Sequence, residues 1–147
     1  MRAVVTRVLN ASVAIGGKTT AEIPRGFLVL LGVRRGDTAP AAEKMADRIA
    51  GLRVFSDADG KMNVSPENAS AEMLVVSQFT LYADVRSRRP GFTEAARPEE
   101  AIPLYETVIS ELKRRGFSVK TGVFGADMQV SSVNDGPVTI LIDSDQW

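Results

Sequence analysis

A strand that is apolar on both alternating faces needs cover on both, and Met73-Leu74-Val75-Val76 is such a strand. A chain that holds it must stack layers of structure around it. Polar side chains begin where the apolar run stops, at Ser77, Gln78 and Thr80. Strand alternation puts Gln78 and Thr80 on one face and Ser77 and Phe79 on the other. A buried strand that ends in hydroxyl and amide groups either pairs them internally or presents them to a ligand. Buried hydroxyls commonly bond to backbone, so the trio alone does not decide between the two.

Other segments supply the layers. Residues 2–15 alternate, with Val5, Leu9, Ala11, Val13 and Ile15 expected on one face, and Gly16-Gly17 closes a hairpin into residues 18–23. Arg7 falls on that apolar face, where a charge is costly unless its donors are satisfied or the guanidinium snorkels to water from an edge. Residues 27–33 are a further apolar strand. Asp37 or Thr38 can cap a helix carrying Ala42, Met45, Ile49 and Leu52 at helical spacing. Residues 53–55 read as a short strand. A second helix starts at Pro98-Glu99-Glu100 and ends at Lys113-Arg114-Arg115, with charges that suit the helix dipole; Pro103 favours a start near Ala101. Residues 117–121, 128–133 and 138–142 are three more strands, the last two joined by Asn134-Asp135-Gly136-Pro137. With no repeat, linker or low-complexity run, the expectation is a single α+β domain over residues 1–147, with about seven or eight strands and two covering helices.

The chain has no Cys and no His. Disulfides, thiolate zinc sites and cysteine nucleophiles are excluded, as are the usual general base and the commonest metal ligand. Ser56-Asp57-Ala58-Asp59-Gly60 resembles half of a calcium loop, but residues 62–66 lack the remaining ligands, so an Asx turn is expected, with no metal and no cofactor. Lys plus Arg equals Asp plus Glu, so no global field draws in nucleic acid, and DNA is not an expected partner. An RNA partner needs a local patch, which Arg86, Arg88 and Arg89 can form. No apolar run is long enough to span a membrane and no signal peptide is visible at the start, so the expected address is the cytoplasm.

Ser77-Gln78-Phe79-Thr80-Leu81, Arg88-Arg89-Pro90-Gly91-Phe92 and Asn134-Asp135-Gly136-Pro137-Val138-Thr139 together resemble the D-aminoacyl-tRNA deacylases, in order and at similar spacing. Leu9-Asn10-Ala11-Ser12-Val13, Phe55-Ser56-Asp57 and Gly60-Lys61-Met62-Asn63 extend the resemblance over nearly the whole chain, with Gly91 standing where Ser is frequent. The resemblance implies a homodimer with a mostly antiparallel or mixed, barrel-like sheet. The implied activity is hydrolysis of the ester between a D-amino acid, or glycine, and the terminal ribose of tRNA. Ser77, Gln78, Phe79 and Thr80 would line the catalytic pocket, with Phe92 and Met128 as further substrate contacts. Gly136-Pro137 would be a cis pair inserted into the partner subunit's pocket, rejecting L-substrates, and Arg7 would steady that loop.

An activated ester needs chiefly an oxyanion hole, which backbone N–H groups near Phe79 and Thr80 can supply without a His. Water is then activated either by Thr80 acting as nucleophile, for which no base is evident, or with help from the substrate's ribose 2′-hydroxyl, which is the favoured account. The competing class is a non-catalytic RNA-binding module that grips a single-stranded end with Arg86, Arg88, Arg89 and Phe92.

Overall fold

The computed structural model describes all 147 residues. β1 (Arg2–Ile15) turns at Gly16 and Gly17, both with positive φ, into antiparallel β2 (Lys18–Ile23). β3 (Gly26–Gly32) pairs antiparallel with residues 2–8 of β1. From β3 the chain crosses through α1 (Ala39–Ala50) and the small hairpin of β4 (Phe55–Ser56) and β5 (Met62–Val64) to β6 (Glu72–Ser77), which lies parallel to β3. A second crossover through α2 (Pro98–Arg114) brings β7 (Val119–Thr121) parallel to β6. Parallel neighbours need such long connections, and each crossover here carries a helix. β8 (Gln129–Asp143) runs antiparallel along the other edge of β1, and β2 folds toward β6 and β7, so the mixed sheet nearly closes into a barrel.

The apolar run of β6 is covered on both sides. Met73 and Val75 join Phe27, Val29, Leu31 and the inner faces of α1 and α2 in the larger core, whereas Leu74 and Val76 join Val8, Val13 and Leu28 in a smaller one. β1 contributes to both cores. Ala3 and Val5 belong to the first, Ala11 and Val13 to the second, so its inward face changes between residues 5 and 11. This corrects the expected single face: Leu9 is 51% exposed, and Val8 is buried in its stead. The physical reason is the irregular pairing with β8 around Val8, together with the exchange of partner from β3 to β2.

The two strands expected at residues 128–133 and 138–142 are one: both parts belong to β8 and pair with β1 in the same direction, so residues 134–137 interrupt a ladder. Thr6 opposes Thr139 and Val8 opposes Asn134, so residues 135–138 bulge from the ladder opposite Arg7. The Gly136-Pro137 peptide within this bulge is cis.

Smaller adjustments follow the same logic. α2 begins at Pro98 and contains Pro103, which cannot donate to the Glu99 carbonyl. Thr38 is the N-cap of α1 but makes no side-chain cap, while Asp37 accepts from the Arg34 amide and the Met1 ammonium. The Asx turn is present: Asp57 Oδ1 accepts from the amides of Asp59 and Lys61. Residues 144–147 fold back on the start of β1, with the Ser144 amide donating to Met1 O at 2.8 Å. No helix is long and apolar enough to cross a membrane.

Candidate active site

A cleft of about 600 Å³ opens at the C-terminal ends of the parallel strands β6 and β7, the usual place for ligands in such sheets. Val76, Ser77, Gln78 and Phe79 form one wall; Phe92 and residues 95–98 form a second, and residues 124–128 with Val130 close the third. The parallel ladder delivers the first wall. Leu31 pairs with Ser77, and the Gln78 amide donates to Leu31 O at 2.8 Å, so strand geometry holds through Gln78.

The chain then tightens into a 3₁₀ turn over Phe79–Tyr82. Leu81 N donates to Gln78 O at 3.3 Å and Ala83 N to Thr80 O at 3.0 Å, whereas the amides of Phe79 and Thr80 find no acceptor in the chain. Helical turns leave their first N–H groups unpaired because no carbonyl precedes them at the right spacing. The alternation expected past Ser77 therefore fails at Thr80, which lies exposed on the turn and outside the cleft lining. Its Oγ1 accepts from Gln78 Nε2 at 2.5 Å. Ser77 Oγ makes no hydrogen bond within the chain.

Phe79 and Phe92 meet edge to face, with ring centroids 5.0 Å apart, and remain 53% and 40% exposed. Two large apolar rings left in water at a cleft mouth are available for stacking. Met128 packs against Gly122, where a Cβ would lie only 2.5 Å from its Sδ. Below the cleft, Tyr105 donates from its hydroxyl to Val75 O at 2.8 Å and meets Phe124 edge to face. Burial pushes the Tyr105 phenol up to about 12.

A second group, Arg7 with Gly136 and Pro137, lies apart from this cleft. Arg7 is 8% exposed and does not snorkel: β1 has a neighbour on each side, and the guanidinium donates inward. Its Nη1 bonds to Val54 O and its Nε to Asp135 O at 3.3 Å, with an ion pair to Asp135 Oδ2 at 3.1 Å. Gly136 has φ +122°, and a Cβ there would come within 3.1 Å of Arg7 Nη2. Gly136 and Pro137 themselves are exposed.

The sequence reading missed residues 95–98 and 124–127 as cleft walls. Val123-Phe124-Gly125-Ala126, an apolar stretch too interrupted by Gly for a strand, was the available signal. Of the three arginines in the basic loop, Arg86 is taken up by Asp84 at 2.6 Å, and this guanidinium holds the Asp84 carboxyl down to about 2.

Comparison with known proteins adds the following. A sequence model described as D-Tyr-tRNA(Tyr) deacylase matches residues 4–143. A protein of Symbiobacterium thermophilum named D-aminoacyl-tRNA deacylase is 54% identical over 99% of this chain and 97% of its own length. One of the same name from Anaeromyxobacter dehalogenans is 56% identical over 98% of this chain and 97% of its own. Among solved structures, a c-Myc DNA Unwinding Element Binding Protein superposes with TM-score 0.91 at 42% identity, covering 97% of this chain and 98% of that one. A probable eukaryotic D-amino acid tRNA deacylase superposes with TM-score 0.81 at 16% identity, over 96% and 97%, a likeness of fold.

Proposed function

This chain belongs to the D-Tyr-tRNA(Tyr) deacylase family, and we infer from that membership that its cleft is where the ester of D-aminoacyl-tRNA is cleaved. The protein is a hydrolase: water adds its oxygen to the acyl carbon, the bond from that carbon to the ribose oxygen breaks, and a proton passes to the released hydroxyl. Free D-amino acid and tRNA leave.

The observation that carries the reading is the pair of unpartnered amides at Phe79 and Thr80, beside the cleft wall formed by Gln78 and Phe79. Adjacent free N–H groups are what an oxyanion hole requires, and each donor to a tetrahedral intermediate's oxyanion is worth about 3 kcal/mol in a preorganised site. Thr80 Oγ1 is already an acceptor for Gln78, and no carboxylate or lysine is paired with it, so it lacks the base a nucleophile needs. The substrate's own 2′-hydroxyl is the better proton relay. Phe79 and Phe92 offer their exposed rings to the terminal adenine, the usual way single-stranded RNA ends are held. Met128 and Phe124 supply apolar surface for the aminoacyl group.

Chirality requires a wall against the L-form. Gly136 and Pro137 are exposed on the β8 bulge and do not line the cleft of their own protomer, so a second copy must supply them if they are to reach substrate. Val130, which lines the cleft, and Val133 and Leu141 farther along β8 leave apolar surface exposed on this strand. A homodimer built on this surface would bring the partner's pair to the cleft, with Arg7 steadying the bulge. Glycine, having no side chain to clash, would be accepted alongside D-residues. The substrate places the enzyme in the cytoplasm.

The test is multiple-turnover hydrolysis of D- and L-aminoacyl-tRNA by the purified protein, with its mass measured in solution. D-selective turnover by a dimer is expected. Equal rates on both enantiomers would overturn the reading, and stoichiometric retention of intact charged tRNA without turnover would instead favour the RNA-binding module.

A further inference from the structure

The loop at residues 85–91 is pinned at its base. Asp84 and Gly91 exchange backbone hydrogen bonds at 2.8 and 2.9 Å, Arg86 is clasped by Asp84, and Ser87 Oγ donates to Arg89 O at 2.6 Å. Phe92, the next residue, lines the cleft mouth, so a loop fixed in this way holds its tip at a set place beside the opening. Arg88 and Arg89 stand on that tip, exposed and without any carboxylate partner. Arg97, on the same cleft wall as Phe92, is exposed and likewise unpaired. Six arginines of this charge-balanced chain are matched to carboxylates, whereas Arg88, Arg89 and Arg97, like Arg25, Arg35, Arg48 and Arg53 elsewhere, are not; what sets these three apart is that they fall within ten positions of chain running along the cleft mouth, where Asp127 is the one carboxylate in the lining, so the rim carries a local excess of positive charge.

Resting on the deacylase reading, we propose that Arg88, Arg89 and Arg97 grip the ribose-phosphate backbone of the nucleotides that lead up to the aminoacylated end. A chain whose last base stacks on the exposed Phe79 and Phe92 rings must carry its preceding phosphates out past this rim. Guanidinium forks bind phosphate oxygens in pairs, and they read no sequence there, which suits an enzyme that must accept many tRNAs. The patch thus sets affinity for the RNA body, while the cleft sets the chemistry.

The test is steady-state deacylation of D-aminoacyl-tRNA over a range of salt, comparing the parent with Arg88→Ala, Arg89→Ala and the conservative Arg88→Lys. Lys113→Ala serves as the control, since it lies about 22 Å along α2 from Pro98 and removes the same charge. Each arginine-to-alanine variant should raise KM several-fold with kcat unchanged and flatten the slope of log(kcat/KM) against log[salt] by about 0.7–0.9, one phosphate contact. Arg88→Lys should restore most of the slope, and Lys113→Ala should match the parent. An unchanged KM and slope, a fall in kcat alone, or an equal effect of Lys113→Ala would overturn the proposal. A parent that releases no D-amino acid would defeat the deacylase reading alone, and filter binding of uncharged tRNA across the same salt range would still read the patch.

Discussion

Arg7 and Asp135 are joined twice, by a hydrogen bond from Nε to the Asp135 carbonyl at 3.3 Å and by an ion pair from Nε to its carboxylate at 3.1 Å. The residue before Gly136 is therefore tied through β1 to the middle of the sheet, and the exposed Gly136-Pro137 tip rests on a buried cation. A bulge that would otherwise be free to move has a fixed base.

Arg7→Met keeps the apolar stem but leaves the carbonyls of Val54 and Asp135 without their donor. At about 1–3 kcal/mol for each buried acceptor left unpaired, urea unfolding should show a loss of roughly 2–4 kcal/mol, together with weaker D-over-L selectivity. Asp135→Asn keeps the backbone acceptor and should cost less. A Met variant as stable and selective as the parent would remove Arg7 from the loop's support.

Gly136→Ala meets two obstacles at once. Its φ of +122° lies where side chains rarely go, and the added Cβ would stand 2.8 Å from Val138 Cγ2 as well as 3.1 Å from Arg7 Nη2. Strain of about 1–3 kcal/mol is expected, and the bulge should relieve it by moving. Thermal unfolding and the D-to-L rate ratio should fall together; a variant with both unchanged would mean that the tip tolerates displacement and does not set chirality.

Thr80→Ala removes a hydroxyl that accepts from Gln78 and leaves the two free amides in place. Activity should stay within about tenfold of the parent, against the roughly 10⁴-fold or greater loss seen when a true nucleophile is deleted. Single-turnover kinetics decides the matter, and an amino acid trapped covalently on Thr80 would refute the amide-based account.

Alkaline stability reports on Tyr105. Its phenol keeps its proton up to about 12 in the folded protein because burial disfavours the phenolate, whereas the unfolded phenol titrates near 10. The folded state therefore holds a proton that the unfolded state has lost, and stability should fall between about pH 10 and 12, by on the order of 3 kcal/mol for this group. Tyr105→Phe should lose about 1 kcal/mol at pH 7 with the Val75 hydrogen bond and decline less steeply above pH 10. Equal slopes for the two proteins would contradict the assignment.

Acid stability reports on Asp143. Burial works against its ionisation, but the Asp145 amide and the Arg2 guanidinium, 2.7 Å away, outweigh it and hold the carboxyl below its ordinary range. A depressed carboxyl stabilises the fold at neutral pH and loses that contribution as pH falls below about 4. The stability gap between the parent and Asp143→Asn should be widest near pH 7 and should narrow toward pH 3; a constant gap would mean that packing, not charge, is responsible.

Much of this architecture is visible along the chain because the forces that set it are local. The two-residue period of β1, the Gly16-Gly17 turn, the helical spacing of Met45 and Ile49 and the doubly apolar Met73-Leu74-Val75-Val76 run each follow from neighbours a few positions away. Composition alone removed Cys and His chemistry, and the motifs at residues 77–81 and 134–139 named the family.

What only the folded chain decided depends on partners far apart in sequence. Alternation counted from Val5 would bury Leu9, but pairing with residues more than a hundred positions away shifts the register and buries Val8. The same distant pairing turns residues 134–137 from a join between two strands into a bulge within one, over Arg7, and Gly136 and Pro137 stay out of the cleft that holds Ser77, Gln78 and Phe79. The walls at residues 95–98 and 124–127 are likewise brought to β6 by the α2 crossover, the one at its start and the other beyond the β7 strand it delivers. A side chain's period is set by its own backbone, whereas its neighbours across the sheet are set by the path of the whole chain.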